Sequence, residues 1–162
     1  MKRIPLTKGK EALVDDEDYE YLRQWKWHAA KRGKYAARAR VEDDGSGPHL
    51  IYMHLVVAAR CGLSGLIDHC NRQPLDNRRR NLRAATRRHN VQNSQMHCDN
   101  IAGFKGVSRA KRPGWWRARI WTGSKEAPLG EYYGEAGKIE AARAYNRAAI
   151  EHFGEFAVLN PV

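Results

Sequence analysis

Three features of the chain predict an α+β fold made of two small pieces. Apolar and polar residues alternate in short runs near the start and again between 106 and 133, the period of half-buried strands. Residues 66–95 read as a strand, a loop, a second strand and a helix. The stretch 136–153 then carries Ala142, Tyr145, Ala149 and Phe153 on one helical stripe, with small alanines that let a helix lie close on a sheet. A chain of 162 residues holds one domain comfortably or two small ones, and the pattern divides at 1–98 and 99–162.

Taken in order, 3–6 and 11–14 form a hairpin with Thr7-Lys8-Gly9-Lys10 as its turn. The acidic residues 15–20 open a helix that runs through about Gln24, with negative charge at its positive end. Trp25 and Trp27, two apart in strand-like sequence, belong in a core rather than on a base-stacking platform. Residues 35–41 are another strand, 43–48 a turn, 49–53 a strand pairing back, and 54–60 a helix. In the middle segment 66–69 is a strand, 71–80 a loop punctuated by Pro74, Asp76 and Asn77, and 81–85 a second strand, after which Thr86 caps a helix to about Gln95. The last third offers strands at 106–109, 115–121 and 127–133, the long helix, and Gly154 as its stop.

Charge narrows the partner. Twenty-nine Lys and Arg against eighteen Asp and Glu leave a net +11, the footprint of a chain that tracks a polyanion. Residues 66–98 are the most basic per residue, with seven basic and two acidic side chains. No apolar run is long enough to cross a membrane and no apolar segment follows Met-Lys-Arg, so a soluble, intracellular, cytoplasmic protein is expected. Cys61, Cys70 and Cys98 have no C-x-x-C spacing; no disulfide framework and no structural zinc are expected, His69-Cys70 and His97-Cys98 being an unusual zinc spacing, and the cysteines read as buried or incidental.

The densest chemistry lies in 68–90, where Asp68, His69, Asn81 and Asn90 stand among seven arginines. Carboxylate and amide oxygens suit a hard cation such as Mg²⁺, a neutral imidazole is the usual base near pH 7, and guanidinium forks match phosphate oxygens. The combination suits metal-assisted cutting of a phosphodiester.

Asp68-His69, an Asn thirteen positions after Asp68 and another Asn nine positions further resemble the ββα-metal motif of HNH endonucleases, and Leu75-Asp76-Asn77-Arg78-Arg79-Arg80-Asn81-Leu82-Arg83 is similar to its phage- and intron-associated homing members. The resemblance implies that Asp68 and Asn90 ligate one divalent metal, Mg²⁺ or else Mn²⁺, with His89 as a substitute ligand because the family often has His at that place. It implies His69 as general base and Asn81 as the structural residue that ties the hairpin. His54 is a candidate phosphate contact, a capping or surface role being the alternative.

Gly106-Val107-Ser108-Arg109, Trp115-Trp116-Arg117-Ala118-Arg119-Ile120-Trp121 and the Gly154-Glu155-Phe156-Ala157-Val158-Leu159-Asn160 tail look like an AP2 DNA-binding domain over 103–160, whose three-stranded sheet, by that resemblance, enters the major groove. Alternation puts Arg117, Arg119 and Trp121 on its outer face. Ser108 and Arg119 depart from members that read GC-rich sites, so no target sequence carries over. The expected partner is double-stranded DNA, with Arg78, Arg79, Arg80, Arg83, Arg87, Arg88, Lys105, Arg109 and Arg112 as further contacts. The alternative is a DNA-binding regulator without catalysis; an RNA-binding protein is weaker, since no RNA-recognition motif occurs.

Overall fold

The computed structural model describes residues 1–41, 48–94, 96 and 99–162. The turn expected at 43–48 lies, but for Pro48, outside the described residues, as do His97 and Cys98. The chain is mixed α and β with several small sheets, and it divides into two compact units, Met1–Thr86 and Arg87–Val162. No helix among the described residues is long and apolar enough to cross a membrane.

The first unit opens with the antiparallel hairpin β1 (Lys2–Pro5) and β2 (Glu11–Val14), followed by α1 (Asp16–Leu22). The helix stops two residues short of Gln24 because Trp27 donates its indole N–H to the Leu22 carbonyl at 2.7 Å and so closes the last turn. A three-stranded antiparallel sheet follows: β3 (His28–Ala30), β4 (Tyr35–Val41) and β5 (Pro48–Tyr52), with β4 central. Trp25 and Trp27 precede β3 rather than lying in it; Trp27 is buried and Trp25 packs half-buried on the same core, with the Arg38 guanidinium 4.5 Å from the Trp25 ring. Next come α2 (Met53–Arg60) and the antiparallel pair β6 (Leu66–His69) and β7 (Leu82–Ala85). Ile4, Val14, Leu22, Trp27, Met53, Val57 and Leu82 form one core, so every element of the unit contributes to it or borders it.

One ion cluster ties the two ends of this unit together. Asp18 on α1 is fully buried, and its carboxylate accepts Nε and Nη2 of Arg79 at 2.7 and 2.9 Å and Nε of Arg60 at 2.8 Å. Burial pushes the Asp18 carboxyl up, but those guanidinium hydrogen bonds win and hold it below the usual carboxylate range. Glu17 adds a second pair to Arg79 at 2.8 Å. The structure thus spends Arg79 inside the fold, not on phosphate as expected from sequence.

In the second unit α3 (Arg87–Gln92) precedes β8 (Val107–Arg109), β9 (Trp115–Trp121) and β10 (Glu126–Tyr133), which pair antiparallel with β9 central, and α4 (Gly134–Phe153) lies on the sheet. The division falls at 86/87 rather than 98/99 because α3 packs with this unit: His89 stacks on Phe156 with ring centroids 4.0 Å apart, and Lys105 Nζ donates to the Gln92 and Ser94 carbonyls at 2.7 and 2.6 Å. The helix therefore ends at Gln92, and Lys105, expected on phosphate, is its C-terminal clamp. Gly106, at φ 74°, is where sheet and helix come closest; a Cβ there would overlap the Tyr145 ring and lie 2.7 Å from the Arg119 carbonyl oxygen. Buried Asn160 closes the unit, exchanging hydrogen bonds with the Lys105 backbone and with Asn146 on α4.

Replacing Arg79 with Ala leaves the Asp18 carboxylate buried with half its partners, and unfolding in urea is expected to show a loss of about 3–5 kcal/mol.

Candidate functional site

Twelve residues separate β6 from β7, and buried polar groups hold that loop in place. Asn81 accepts the Asn71 backbone N–H through Oδ1 at 2.9 Å and donates Nδ2 to the Asp76 carbonyl at 2.7 Å. Asp76, 2% exposed, accepts Nε and Nη2 of Arg78 at 2.7 and 2.5 Å and the Asn71 amide at 2.8 Å. The Arg78 hydrogen bonds hold the Asp76 carboxyl below the usual range. Strand β2 joins in: Leu13 N–H donates to Leu75, and Asn77 N–H donates to Leu13, each at 2.8 Å.

His69 ends β6 at this loop and is 6% exposed. Its Nε2 lies 3.5 Å from Oδ1 of buried Asn77. The Asn77 amide nitrogen donates to the Leu75 carbonyl at 3.3 Å and to Met53 Sδ at 3.6 Å, which turns the amide oxygen toward the imidazole. That oxygen can only accept, so Nε2 carries the proton and Nδ1 is the basic nitrogen. Burial pushes the His69 pKa below the usual histidine value against the pull of Asn77, Asp68 and Asp76, and the ring is neutral at pH 7.

His54, the second residue of α2, meets His69 edge-on with ring centroids 5.2 Å apart. Tyr35 and Tyr52 flank it at 5.5 and 5.7 Å. Burial first, then the charges of His69 and Lys31, push the His54 pKa down to about 4. As a phosphate contact it can offer an N–H but no charge.

Asp68 faces Arg83 across the hairpin and accepts Nη2 at 3.0 Å and Nε at 3.2 Å. Alternation along β6 turns Asp68 and His69 to opposite faces of the pair. Asn90 is exposed on α3 of the second unit, and the ring of His89 beside it stacks on Phe156. Among the described residues no three His, Cys, Asp or Glu side chains gather as a metal cluster. One carboxylate and one amide are not of that kind, and their chemistry suits a hard cation; the carboxylate oxygen that such a cation would take is held by the Arg83 guanidinium.

The arginines expected on DNA fall into two groups. Arg78, Arg79 and Arg83 are bound to Asp76, Asp18 and Asp68, a correction to the reading of 78–83 as a phosphate-binding run. Arg88 donates to the Thr122 carbonyl within the second unit. On the outer face of the second unit's sheet, Arg117 pairs with Glu131 at 2.9 Å and Arg119 with Glu126 at 3.0 Å, exposed pairs of little energetic weight, and Trp121 is 56% exposed beside them. Arg80, Arg87, Arg109 and Arg112 have no carboxylate partner among the described residues; Arg109 and Arg112 lie 5.9 and 5.8 Å from the rings of Trp116 and Trp115. Of the cysteines, Cys61 is half-buried and Cys70 exposed, so burial does not account for Cys70 and the incidental reading is the one left for it.

Sequence reading missed Asn77, taken for a loop punctuation residue. Nothing in Leu75-Asp76-Asn77 separates a turn former from a buried amide; only the pairing of the loop with β2 does that.

The low His54 value carries a sign. With a folded pKa of about 4 against the usual 6.5, the unfolded chain binds the proton first, so stability holds above about pH 6.5 and falls as pH drops toward 4. The loss reaches at most about 3 kcal/mol, and urea midpoints measured across that range are expected to fall more steeply for the parent than for His54→Gln. No family model and no curated protein sequence matches the chain, and the functional reading rests on this site.

Proposed function

We propose that the chain is an HNH-type DNA endonuclease that hydrolyses phosphodiester bonds with His69 as general base, and that an AP2-like second unit positions it on double-stranded DNA. The observation that carries the reading is His69 itself: a buried, neutral imidazole at the end of a hairpin, its tautomer set by Asn77 and its loop braced by the Asn81 amide. Buried imidazoles whose proton affinity is shifted, standing side by side, are the kind of group that clusters at functional sites.

In the proposed reaction, Nδ1 of His69 takes a proton from a water as its oxygen attacks phosphorus; the P–O3′ bond breaks, the leaving oxygen takes a proton from solvent water, and the imidazolium returns its proton to solvent, leaving a 3′ hydroxyl and a 5′ phosphate. Asn77 holds Nε2–H and steadies the imidazolium that forms, while His54 stands one ring away with an N–H to offer a phosphate oxygen. A divalent cation, Mg²⁺ or Mn²⁺, held by Asp68 would neutralise charge on the phosphate and on the departing oxygen. On the second unit the sheet face of Arg117, Arg119 and Trp121 and the basic turn of Arg109 and Arg112 form the proposed DNA-facing surface. One observation favours the non-catalytic regulator instead: the Asp68 carboxylate faces Arg83.

Supercoiled plasmid incubated with Mg²⁺ or Mn²⁺ tests the reading, with EDTA, Asp68→Ala and His69→Ala as controls. Metal-dependent nicking or linearisation is expected, with His69→Ala slower by about 100- to 10,000-fold while DNA affinity changes little. Binding without cutting by the parent, over several metals and DNA sources, would overturn it in favour of the regulator.

A further inference from the structure

We propose that Lys31 is the charged phosphate contact of this site, seating the DNA backbone beside His54 and His69. The inference rests on the nuclease reading for the identity of the bound chain, but its observations are separate. Lys31 is exposed in the turn between β3 and β4, and its ammonium lies 5.2 Å from the centroid of the Tyr52 ring and 5.7 Å from that of Tyr35. These are the same two rings that flank His54, so the lysine stands at the rim of the histidine pair. Its ammonium has no carboxylate partner and no hydrogen bond among the described residues. Most of the other cations near the site are consumed: Arg78 by Asp76, Arg79 by Asp18, Arg83 by Asp68.

The turn is built to hold the lysine there. Lys31 and Arg32 both have left-handed backbone, at φ 45° and 59°, and Gly33 follows at 82°. Consecutive non-glycine residues in that region persist only where their surroundings impose it. Lys10, from the first hairpin's turn, imposes it by donating Nζ to the Gly33 carbonyl at 2.9 Å; a Cβ on Gly33 would lie 2.7 Å from that nitrogen.

The chemistry also needs a charge that His54 does not supply. From two neutral imidazoles a phosphate would receive N–H dipoles and no charge, whereas an ammonium on a flexible stem is a compact phosphate ligand. Stacked over tyrosine rings, it keeps its charge while losing little rotamer freedom on binding. Its closeness to His54 is felt in that residue's low proton affinity.

The experiment compares the full chain with Lys31→Gln and Lys31→Arg, reading duplex DNA affinity by fluorescence anisotropy in EDTA over a salt series and plasmid cleavage in Mg²⁺. The Gln variant is expected to bind several-fold more weakly, to raise KM with kcat near the parent value, and to reduce the slope of log affinity against log salt by about 0.9, the signature of one lost phosphate contact. The Arg variant is expected to recover most of both. An unchanged slope and KM in Lys31→Gln, alongside cleavage that His69→Ala abolishes, would overturn the phosphate contact and leave the nuclease reading intact. A slope that depends on Lys31 in a protein that never cuts would support the contact and remove the nuclease reading.

Discussion

The loop between β6 and β7 braces the end of β6 where His69 stands, and buried amides and carboxylates are what make that loop a fixed object. Between β6 and β7 the chain must satisfy its backbone groups without a ladder, and Asn81, Asp76 and β2 do it for them: one side-chain amide spans Asn71 to Asp76, and two backbone hydrogen bonds sew the loop to Leu13. The placement of His69 follows. A histidine at a strand end would ordinarily turn to solvent and titrate near neutrality; here the loop folds over it, burial removes the proton, and Asn77 chooses which nitrogen is basic. Loss of the Asn81 amide would strand the buried Asp76 carbonyl and free the Asn71 N–H from the loop, which is why its role is structural.

Positive charge is distributed between two tasks, and sequence composition does not reveal the division. The arginine run at 78–83 looks like a surface for phosphate, yet three of its four guanidiniums are fixed by Asp76, Asp18 and Asp68. Asp18 stands 61 positions from Arg79 and reads, from sequence, as one of several acids at a helix start. Long-range ion pairs of this kind have no local signature: the helix-end role and the burial role use the same residue type at the same place. The cations left over in the second unit, Arg109 and Arg112, lie against tryptophans instead.

Elements set by alternation were the most legible. Strands 35–41, 66–69 and 115–121 have the bounds their period predicts, and the outward set Arg117, Arg119 and Trp121 is the face that period predicts. Element ends were less legible where a side chain from elsewhere closes them, as Trp27 does for α1 and Lys105 for α3. The unit boundary was misplaced for the same reason, because the stack of His89 on Phe156 assigns α3 to the second unit through a contact 67 positions long. At the site, Asp68, His69 and Asn81 could be picked out by spacing, whereas Asn77 and Lys31 could not, since their significance lies in what packs beside them.

The pairing of two neutral histidines with one outlying ammonium has a physical logic for a polyanionic substrate. An approaching phosphate favours protonation of any imidazole near it, and a base protonated by its own substrate cannot accept the proton the reaction releases. Burial lowers the proton affinity of both imidazoles, and on the proposed nuclease reading Lys31 at the rim would oppose the field of a bound phosphate at His54. The site therefore keeps its charge at the edge, where hydration makes it inexpensive to hold, and its proton acceptor inside, where the absence of charge is what makes it useful.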